Sequence, residues 1–402
     1  MIRGDTIAAV STPPGRGGIG VVRLSGPLSV EIAGAIFEPR SHAARFEPNR
    51  AQFGRIIDPA TAEHIDDIIL TFFKAPHSYT GEDVVELSCH GSPVILRRVL
   101  GLVAGRGARI AEPGEFTFRA FLNRRIDLAQ AQAVRDLINA QTEYQSRVAT
   151  RQMEGALSRR LDPVRQSVTE IIVHLESSVE FVEDDISPEA ISSLLARLNL
   201  IIEDLDAIAR SFSLGRFVKE GFDLAIVGRP NVGKSSVFNR LVGADRAIVT
   251  ELPGTTRDTL YESASISGVP VRLIDTAGIR ETTDVVESIG ITRSRSAIAD
   301  ADISLVVLDA SEPLDRADIE LIDHVAEERR IIAFNKADLP VKSGPEELGG
   351  AGARDAISIS ALTGSGFDRL TETIFKRLSG DQSSERDDLM ITDARQEQAL
   401  RR

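Results

Sequence analysis

Cysteine is almost absent from this chain of 402 residues, because Cys89 is its only one. A single thiol excludes an internal disulfide and any metal site made of cysteines alone, and it is typical of a reducing compartment. The sequence also lacks an uninterrupted apolar run of about 18 residues, the length that a membrane-spanning helix needs. Its first residues show no basic stretch followed by an apolar one. We therefore expect a cytoplasmic protein that does not bind a membrane.

Positive charge is in short supply, since 47 lysines and arginines stand against 60 aspartates and glutamates and the formal net charge is −13. An acidic surface disfavours nonspecific binding of nucleic acid over the whole molecule, although a local basic patch can still bind RNA. The content of 42% apolar and 27% charged residues is that of a globular protein. At roughly 150 residues per domain, the length predicts two or three domains.

Three regions of the chain have different patterns. Residues 1–121 combine many glycines and prolines with short apolar runs such as residues 68–73, which is typical of a mixed α/β domain. In residues 122–216 apolar side chains recur at steps of three and four, which predicts two long helices that pair in a core. An N-cap at Ser187 and the proline that follows it mark the start of the second helix. The two series are Leu157, Leu161, Val164, Val168, Ile171, Leu175 and Val179, and then Ile191, Leu194, Leu198, Ile201, Leu205 and Ile208.

Residues 217–379 alternate short apolar strands with helical stretches. That alternation predicts a mostly parallel sheet with crossover helices. A polar helix is predicted from Thr392 to Arg402. The single cysteine and its neighbour His90 follow an apolar run, and such a pair is more often packed structure than a nucleophile or a metal site.

Residues 228–235 read Gly-Arg-Pro-Asn-Val-Gly-Lys-Ser, directly after an apolar strand and before a helical run. They match the phosphate-binding pattern G-x-x-x-x-G-K-[ST] in its expected setting. Backbone N–H groups and the start of the next helix bind phosphates, Lys234 neutralises the β- and γ-phosphate charge, and the Ser235 hydroxyl completes a magnesium shell. The other nucleotide contacts predicted here are Asn231, Val232, Gly233 and Ser236.

Polar groups suited to a guanine nucleotide follow later strands. Asp275-Thr276-Ala277-Gly278 places Asp275 for a water-mediated metal contact and the Gly278 amide near the γ-phosphate. Asn335-Lys336-Ala337-Asp338 selects the base, because the Asp338 carboxylate can accept two N–H groups that adenine does not offer. Ser360-Ala361-Leu362 would then close over the guanine edge. In this order the motifs predict a guanine-nucleotide site.

Residues 254–258, Gly-Thr-Thr-Arg-Asp, form a predicted switch loop in which Thr256 binds magnesium when the γ-phosphate is present. Ile279 stands where Ras-like GTPases carry a glutamine that orients water, and an apolar side chain cannot do this. The residues alone leave Glu281, Glu287 or a cation as candidates for that role. Asn231 could help to hold a monovalent ion between the phosphates.

The motifs at residues 228–235, 254–258, 275–279 and 335–338 together resemble those of the Era-like GTPases. Three N-terminal stretches, residues 5–23, 79–83 and 113–123, narrow the resemblance to the tRNA modification GTPases of the MnmE (TrmE) family. The resemblance covers essentially the whole chain. It implies an α/β multidomain protein: a folate-binding domain at 1–121, a helical domain at 122–216 continued at 380–402, and a GTPase domain at 217–379.

The resemblance also implies an activity and its partners. The family hydrolyses GTP in a K⁺-dependent reaction that pairing of GTPase domains in a homodimer activates. With the FAD-dependent flavoprotein MnmG (GidA), as a heterotetramer, it adds an aminomethyl or carboxymethylaminomethyl group to carbon 5 of the tRNA wobble uridine, position 34. A 5-formyl or methylene tetrahydrofolate is the implied one-carbon source.

Site residues carry over by position. The implied folate contacts are Arg23, Glu86 and Arg125, and the implied K⁺ ligands are Asn231, Thr250, Leu252 and Thr255. Ser235 and Thr256 fall at the magnesium positions. Glu287 falls where the family places the glutamate that orients water, which favours it over Glu281. The nucleotide contacts also take in Glu251, Pro253 and Gly254.

One departure leaves alternatives open. The family continues with further helices and ends in Cys-x-Gly-Lys, whereas this sequence stops at Arg401-Arg402. One alternative is a shortened form that binds GTP but is inactive in modification. The other is a GTP-dependent switch of the Era type that acts in ribosome assembly.

Overall fold

The computed structural model describes residues 4–40, 46–180, 188–244, 264–274, 301–348, 356–379 and 390–401. The chain divides into two compact units, Met1–Val134 and Arg135–Arg402. Over the described ranges, every helix is too short or too polar to span a bilayer.

The first unit is built on a seven-stranded sheet with the order β3-β4-β5-β6-β2-β1-β7. Neighbouring strands are antiparallel, except that β1 and β7 are parallel. The strands are β1 (Ile7–Val10), β2 (Gly17–Ser25), β3 (Phe37–Pro39), β4 (Ala51–Asp58), β5 (Glu63–Phe73), β6 (Val84–Gly91) and β7 (Arg109–Ile110). The helices are α1 (Ser29–Ile36), α2 (Pro93–Ala104) and α3 (Glu115–Leu122), and α4 (Leu128–Ile138) contains the boundary between the units.

Alternation along β5 explains how this sheet buries one face. Ile68, Leu70 and Phe72 are buried, whereas Ile69 between them is exposed. Successive side chains on a strand point to opposite faces, so one face joins the core that includes residues of α2, whereas the other face leaves Ile69 exposed. The predicted mixed α/β domain is confirmed.

The second unit begins with the rest of α4 and then four helices. They are α5 (Glu143–Met153), α6 (Ala156–Glu180), α7 (Pro188–Arg210) and α8 (Phe212–Glu220). The predicted long helices are present as α6 and α7, and Ser187 lies outside the described residues.

The prediction that both apolar series lie in a core is wrong for part of each helix. Ile171 and Ile201 are buried, but Leu175, Ile191 and Leu198 are 42%, 47% and 37% exposed. A helix pair buries mainly the residues that face the partner helix, and within the described residues the wider apolar stripe is only partly covered.

A six-stranded sheet forms the rest of the second unit, with the order β13-β12-β11-β8-β10-β9. All neighbours are parallel except the β9–β10 pair. The strands are β8 (Phe222–Val227), β9 (Ala264–Ile266), β10 (Val269–Leu273), β11 (Ile303–Asp309), β12 (Arg330–Asn335) and β13 (Ala356–Ser358). The helices are α9 (Lys234–Ala244), α10 (Arg316–His324), α11 (Phe367–Ser379) and α12 (Ala394–Leu400). This confirms the predicted mostly parallel sheet with flanking helices.

The last helix starts two residues later than predicted. Thr392 is buried and its hydroxyl bonds with the side chain of Gln152, 3.3 Å away, so it belongs to a packed segment and not to a helix. The Asp393 carboxylate accepts from the N–H of Arg395 at 3.0 Å and caps the helix instead.

Candidate functional site

The predicted nucleotide contacts that the structure describes lie where parallel strands of the second sheet end. Residues 228–233, the phosphate loop, follow β8, the Asn335 tetrad starts at the end of β12, and residues 360–364, the base loop, follow β13. The carboxyl ends of parallel strands meet at one edge of the sheet, which is where ligands bind in open α/β folds.

The phosphate loop has a backbone that few residues can adopt. Gly233 has a φ of +95°, and a Cβ there would stand 2.3 Å from Nδ2 of Asn335. Asn231 also has a positive φ, +66°. Helix α9 begins at the next residue, Lys234, so the N–H groups of its first turn face the loop.

Lys234 folds back over this loop. Its ammonium donates to the carbonyl oxygens of Gly228 and Arg229 at 2.9 and 2.7 Å. Burial lowers the pKa of this lysine. A cation on the loop, together with the helix N-terminus, makes a site for an anion such as a nucleotide phosphate.

Asn335 joins the phosphate loop to the base loop. Its Nδ2 donates to the Val232 carbonyl at 2.9 Å, and its Oδ1 accepts from the N–H of Ala361 at 3.0 Å. The side chain is buried and both of its amide atoms are used. The structure thus brings together three segments. Asn335 lies about a hundred residues after Val232 and about twenty-five residues before Ala361.

The residues predicted to select the base are also held by hydrogen bonds. Oδ1 of Asp338 accepts from the Ser360 hydroxyl at 2.5 Å, and Ser360 Oγ accepts from the N–H of Thr363 at 3.1 Å. Lys336 has a φ of +65° and its ammonium donates to Asp309 Oδ2 at 2.5 Å. Burial alone would raise the pKa of Asp309, but the bonds from Lys336 and Ser311 outweigh it and hold that pKa below its usual value.

Arg229 in the phosphate loop was not predicted to have a role. Its Nε donates to Asp318 at 2.8 Å and its Nη1 to Asp315 at 2.5 Å, and both aspartates belong to the capping box of α10. Burial raises the pKa of the Asp318 carboxyl in spite of this arginine. No local pattern signals these pairs, because the partners lie 86 and 89 residues apart.

Many of the predicted nucleotide, ion and catalytic residues lie outside the described residues. They are Thr250, Glu251, Leu252, Pro253, Gly254, Thr255, Thr256, Asp275, Thr276, Ala277, Gly278 and Glu287, together with Ile279 and Glu281. The predictions on them therefore remain predictions.

In the first unit, two of the three predicted folate contacts are paired. Arg23 on β2 and Glu86 on β6 stand directly opposite each other. Nε and Nη2 of Arg23 both lie near the same oxygen, Oε1 of Glu86, at 2.8 and 2.7 Å. The guanidinium carbon is 5.6 Å from the ring centres of Tyr79 and of Phe116. A cation near two aromatic rings and a carboxylate is a setting that can also receive a flat heteroaromatic ligand.

Arg125 follows α3 in the sequence and contacts the loop that carries Tyr79. Its Nε donates to the Ser78 carbonyl at 3.2 Å, next to Tyr79, and its side chain packs against Gly81. The structure therefore connects Arg125 to the Arg23 cluster through residues 78–79.

Sequence reasoning missed a cluster of two arginines and three acids beside this loop. Arg119 binds Asp5 at 2.5 Å, Glu82 at 3.1 Å and Glu115 at 3.3 Å, and Arg109 binds Asp5 and Glu115 at 2.8 and 2.5 Å. The only sequence signal was that four of the five, Asp5, Glu82, Glu115 and Arg119, lie inside the stretches that carried the family resemblance. This cluster fixes the loop that carries Tyr79.

Cys89 is buried in the core of the first sheet, and burial, with the charge of Asp66, raises its pKa to about 12. A thiol with that pKa is not a nucleophile at neutral pH. His90 bonds to Asp66 at 2.6 Å. Over the ranges described, no three histidine, cysteine, aspartate or glutamate side chains are grouped to hold a metal ion. The prediction of packed structure agrees with the geometry for Cys89 but not for His90, whose side chain is 68% exposed.

Two family models match this chain. The model described as "GTP-binding protein TrmE N-terminus" matches residues 6–125, and the one described as "MnmE helical domain" matches residues 128–402. The chain is 49% identical over 397 residues to the tRNA modification GTPase MnmE of Koribacter versatilis, covering 98% of this chain and 86% of that protein. For the proteins of the same name from Aquifex aeolicus and Alkaliphilus oremlandii the identities are 44% over 374 residues and 41% over 403 residues. These matches cover 93% and 99% of this chain and 82% and 87% of the relatives.

Proposed function

Because the chain belongs to the MnmE family of tRNA modification GTPases, we propose that it couples K⁺-dependent GTP hydrolysis to modification of the tRNA wobble uridine in the cytoplasm. GTP hydrolysis, use of Mg²⁺ and a role in tRNA modification follow from the family. The K⁺ requirement, the folate, the partner and the catalytic residue are parts of the proposal.

The observation that carries the proposal is the clamp made by Asn335. One buried side chain bonds to the phosphate loop and to the base loop, at 2.9 and 3.0 Å. A site in which both loops are held before ligand arrives loses less entropy on binding. The arrangement suits a guanine nucleotide, with phosphates at α9 and the base between Asp338 and the base loop.

Residues of this chain would hold the magnesium and the phosphates. Ser235, at the second position of α9, and Thr256 supply hydroxyl oxygens, the hard ligands that Mg²⁺ prefers. The ion would neutralise charge that develops on the γ-phosphate. Lys234 and the N-terminus of α9 stabilise the same charge without moving.

Asn231 is proposed as the described member of a K⁺ site that also includes Thr250, Leu252 and Thr255. Its positive φ, +66°, turns the loop sharply beside the helix start where phosphates bind. An amide oxygen and backbone or hydroxyl oxygens suit a monovalent cation. Such an ion would supply positive charge where other GTPases use an arginine, and Glu287 would orient the attacking water.

A tetrahydrofolate, in its 5-formyl or methylene form, is proposed to bind beside Arg23, Glu86 and Arg125. Both donor atoms of Arg23 lie near Oε1 of Glu86, so among the described residues the bonds of this pair leave Oε2 to accept an N–H of a pterin. A folate tail is anionic, and Arg125 is a matching cation. The rings of Tyr79 and Phe116 both lie 5.6 Å from the Arg23 guanidinium carbon and could stack on a flat ligand.

The division into a folate-binding domain at 1–121, a helical domain at 122–216 and 380–402, and an inserted GTPase domain at 217–379 is also part of the proposal. The chain that enters and the chain that leaves the GTPase sheet lie together, because the N–H of Ile391 donates to Ser211 Oγ at 3.1 Å. Adjacent ends are what an inserted domain needs.

A homodimer that assembles with the FAD-dependent protein MnmG into a heterotetramer completes the proposal. Its support is membership of the family. Copurification of the two proteins, with tRNA modified only when both are present, is the expected result.

The test is steady-state GTP hydrolysis by the purified chain in matched potassium and sodium buffers. We expect hydrolysis in both and strong activation by potassium alone. Equal rates in the two buffers would contradict the K⁺ site. Absence of GTP binding in either buffer would contradict the function as a whole.

A further inference from the structure

Arg240 lies on α9 and contacts the base loop, although no motif includes it. Its Nη1 donates to the carbonyl oxygens of Ala361 and Leu362 at 3.3 and 3.1 Å, and its Nη2 to that of Thr363 at 3.0 Å. A guanidinium is a rigid planar fork, so two of its nitrogens bond to three successive carbonyl groups here, whereas a lysine would offer a single nitrogen. Bonds from one side chain to three consecutive peptides fix the backbone between them.

The loop closes tightly on this guanidinium. A Cβ at Gly364 would lie 2.1 Å from Nη2 of Arg240, so a larger residue there would displace the guanidinium, and the φ of +91° at this position also favours glycine. The ring of Phe367 lies 6.0 Å from the guanidinium carbon on the following helix α11. Arg240 is therefore held between the turn of the base loop and the start of α11.

The direction of these bonds determines what the other side of the loop offers. The C=O and the next N–H of a trans peptide point in opposite directions. When the carbonyls of residues 361–363 face Arg240, the following N–H groups turn away from it. Two of them bond within the loop, from Thr363 to Ser360 Oγ at 3.1 Å and from Gly364 to Ser360 O at 2.8 Å. The remaining one, of Leu362, belongs to the peptide whose carbonyl bonds to Arg240, so it points away from that arginine.

We propose that Arg240 is a positioning residue for base selection, which holds the base loop so that its backbone N–H donors face O6 of guanine. This rests on the proposed function as a GTPase. Adenine carries an amino group at the position of O6, and a backbone N–H cannot bond to it, so the same geometry rejects adenine. Asp338 reads the N1 and N2 edge, and Arg240, through the loop, sets the O6 edge.

The position of Arg240 also connects the two ends of the nucleotide. It follows Lys234 by six residues on one helix, which is about 9 Å along the axis. The helix whose N-terminus faces the phosphates therefore carries, nearly two turns later, the side chain that holds the base loop. Helix α9 therefore sets the distance between the phosphate end and the base end of the nucleotide site.

The experiment measures the affinity of the full chain for GDP, IDP and ADP, and the steady-state kinetics with GTP, in Arg240→Ala and Arg240→Lys. IDP lacks the 2-amino group but keeps O6. We expect Arg240→Ala to weaken GDP and IDP by the same factor, about tenfold, to leave ADP within twofold, and to raise KM for GTP with kcat nearly unchanged. Arg240→Lys should weaken GDP and IDP less than Arg240→Ala does, because the lysine ammonium keeps a single point of contact in place of the guanidinium fork.

The matched control is Arg369→Ala, which removes another exposed arginine, on α11 of the same unit. It should leave all three affinities within twofold. Lys234→Ala serves as the second reference, since it should weaken GDP, IDP and ADP alike through the phosphates.

Two results would overturn the role of Arg240: an unchanged affinity for GDP in Arg240→Ala, or an equal loss for GDP and ADP, which a general structural defect would give. If Arg240→Ala does not fold, the ratio of GDP to ADP affinity in Arg240→Lys decides, because a positioning role lowers it and a structural role does not. A wild-type chain that fails to bind GDP, or a Lys234→Ala variant that binds it normally, would instead contradict the proposed function.

Discussion

Asn335 is 2% exposed, and its amide is the link between the loop at the phosphates and the loop at the base. An unpaired buried polar group costs about 1–3 kcal/mol. Removing this amide would leave two such groups, the carbonyl of Val232 and the N–H of Ala361. The two loops are therefore held in place by an interaction whose loss the fold cannot easily absorb. This arrangement would preorganise the proposed nucleotide site.

Asp338 provides a prediction on the choice of base. In Asp338→Asn, one acceptor becomes an amide donor, which opposes the guanine N–H groups and suits the carbonyl at position 2 of xanthine. We expect affinity for GDP to fall on the order of 100-fold and that for XDP to rise, as measured by titration calorimetry. Asp368→Asn, an exposed aspartate on α11, is the control and should change neither. Unchanged selectivity in Asp338→Asn would refute the assignment.

Glu287 provides a prediction on hydrolysis. If its carboxylate orients the attacking water, Glu287→Ala should lower kcat about 100-fold or more and leave the Kd for GTP within about threefold. Single-turnover hydrolysis and equilibrium binding measure the two quantities separately. Glu281→Ala is the matched variant, because Glu281 is the other carboxylate that the residues alone left as a candidate for orienting the water. A larger effect at Glu281, or an equal loss of binding and hydrolysis at Glu287, would sink the role.

At the scale of whole elements, α8 and the segment that returns from the GTPase sheet pack against each other through a glycine. A Cβ at Gly215 would lie 1.9 Å from the carbonyl oxygen of Ile391 and 2.8 Å from its carbon. Both partners are backbone, and Ile391 is buried, so neither can rotate out of the way. The contact also holds the two ends of the sheet domain together.

Gly215→Ala and Gly101→Ala should therefore change stability in opposite directions. Gly215→Ala forces the returning segment away from α8, at a cost of about 2–3 kcal/mol in the free energy of unfolding. Gly101, inside α2, has nothing within 4 Å of a Cβ, and its replacement should stabilise by about 0.5–1 kcal/mol. Urea unfolding followed by circular dichroism measures both. A stable Gly215→Ala would show that the two segments are not in contact.

Which elements could be predicted from sequence depends on whether their signal is local. Strand β11 is buried along its whole length, and parallel buried strands read as continuous apolar runs, so the GTPase sheet was predictable. The phosphate loop was predictable because its glycines, lysine and serine are neighbours. The contacts of Arg119 and Arg240 were not, since their partners lie up to 114 and 123 residues away. The exposure of Leu175 and Leu198 was missed because periodicity does not show how many partners a helix has.

At the scale of the whole molecule, the two compact units differ in how their charges are buried. In the first unit, Glu115 is 2% exposed and sits with Asp5 between Arg109 and Arg119. Burial alone would raise the pKa of each acid, but the arginine bonds outweigh it and hold both pKa values below their ordinary 3.8 for Asp5 and 4.5 for Glu115. In the second unit burial raises the pKa of the Asp318 carboxyl, whereas the bond from Lys336 lowers that of Asp309. These two pKa shifts are therefore opposite in direction.

The first unit should consequently be the more sensitive to acid. A carboxyl whose folded pKa is lowered stabilises the fold above its unfolded pKa, and this stability is lost as pH falls through the folded pKa, here from about pH 5 downward. Hydrogen exchange of the full chain, corrected for its intrinsic dependence on pH, should show protection in residues 4–134 falling before that in the second unit. Glu115→Gln should cost about 2–3 kcal/mol at pH 7, because it leaves a buried cation short of a partner, and should flatten this pH dependence. Glu63→Gln breaks an exposed pair with Arg98 and should neither lower stability at pH 7 by this amount nor flatten the pH dependence. If the two variants respond alike to acid, the buried cluster is not the source of the sensitivity.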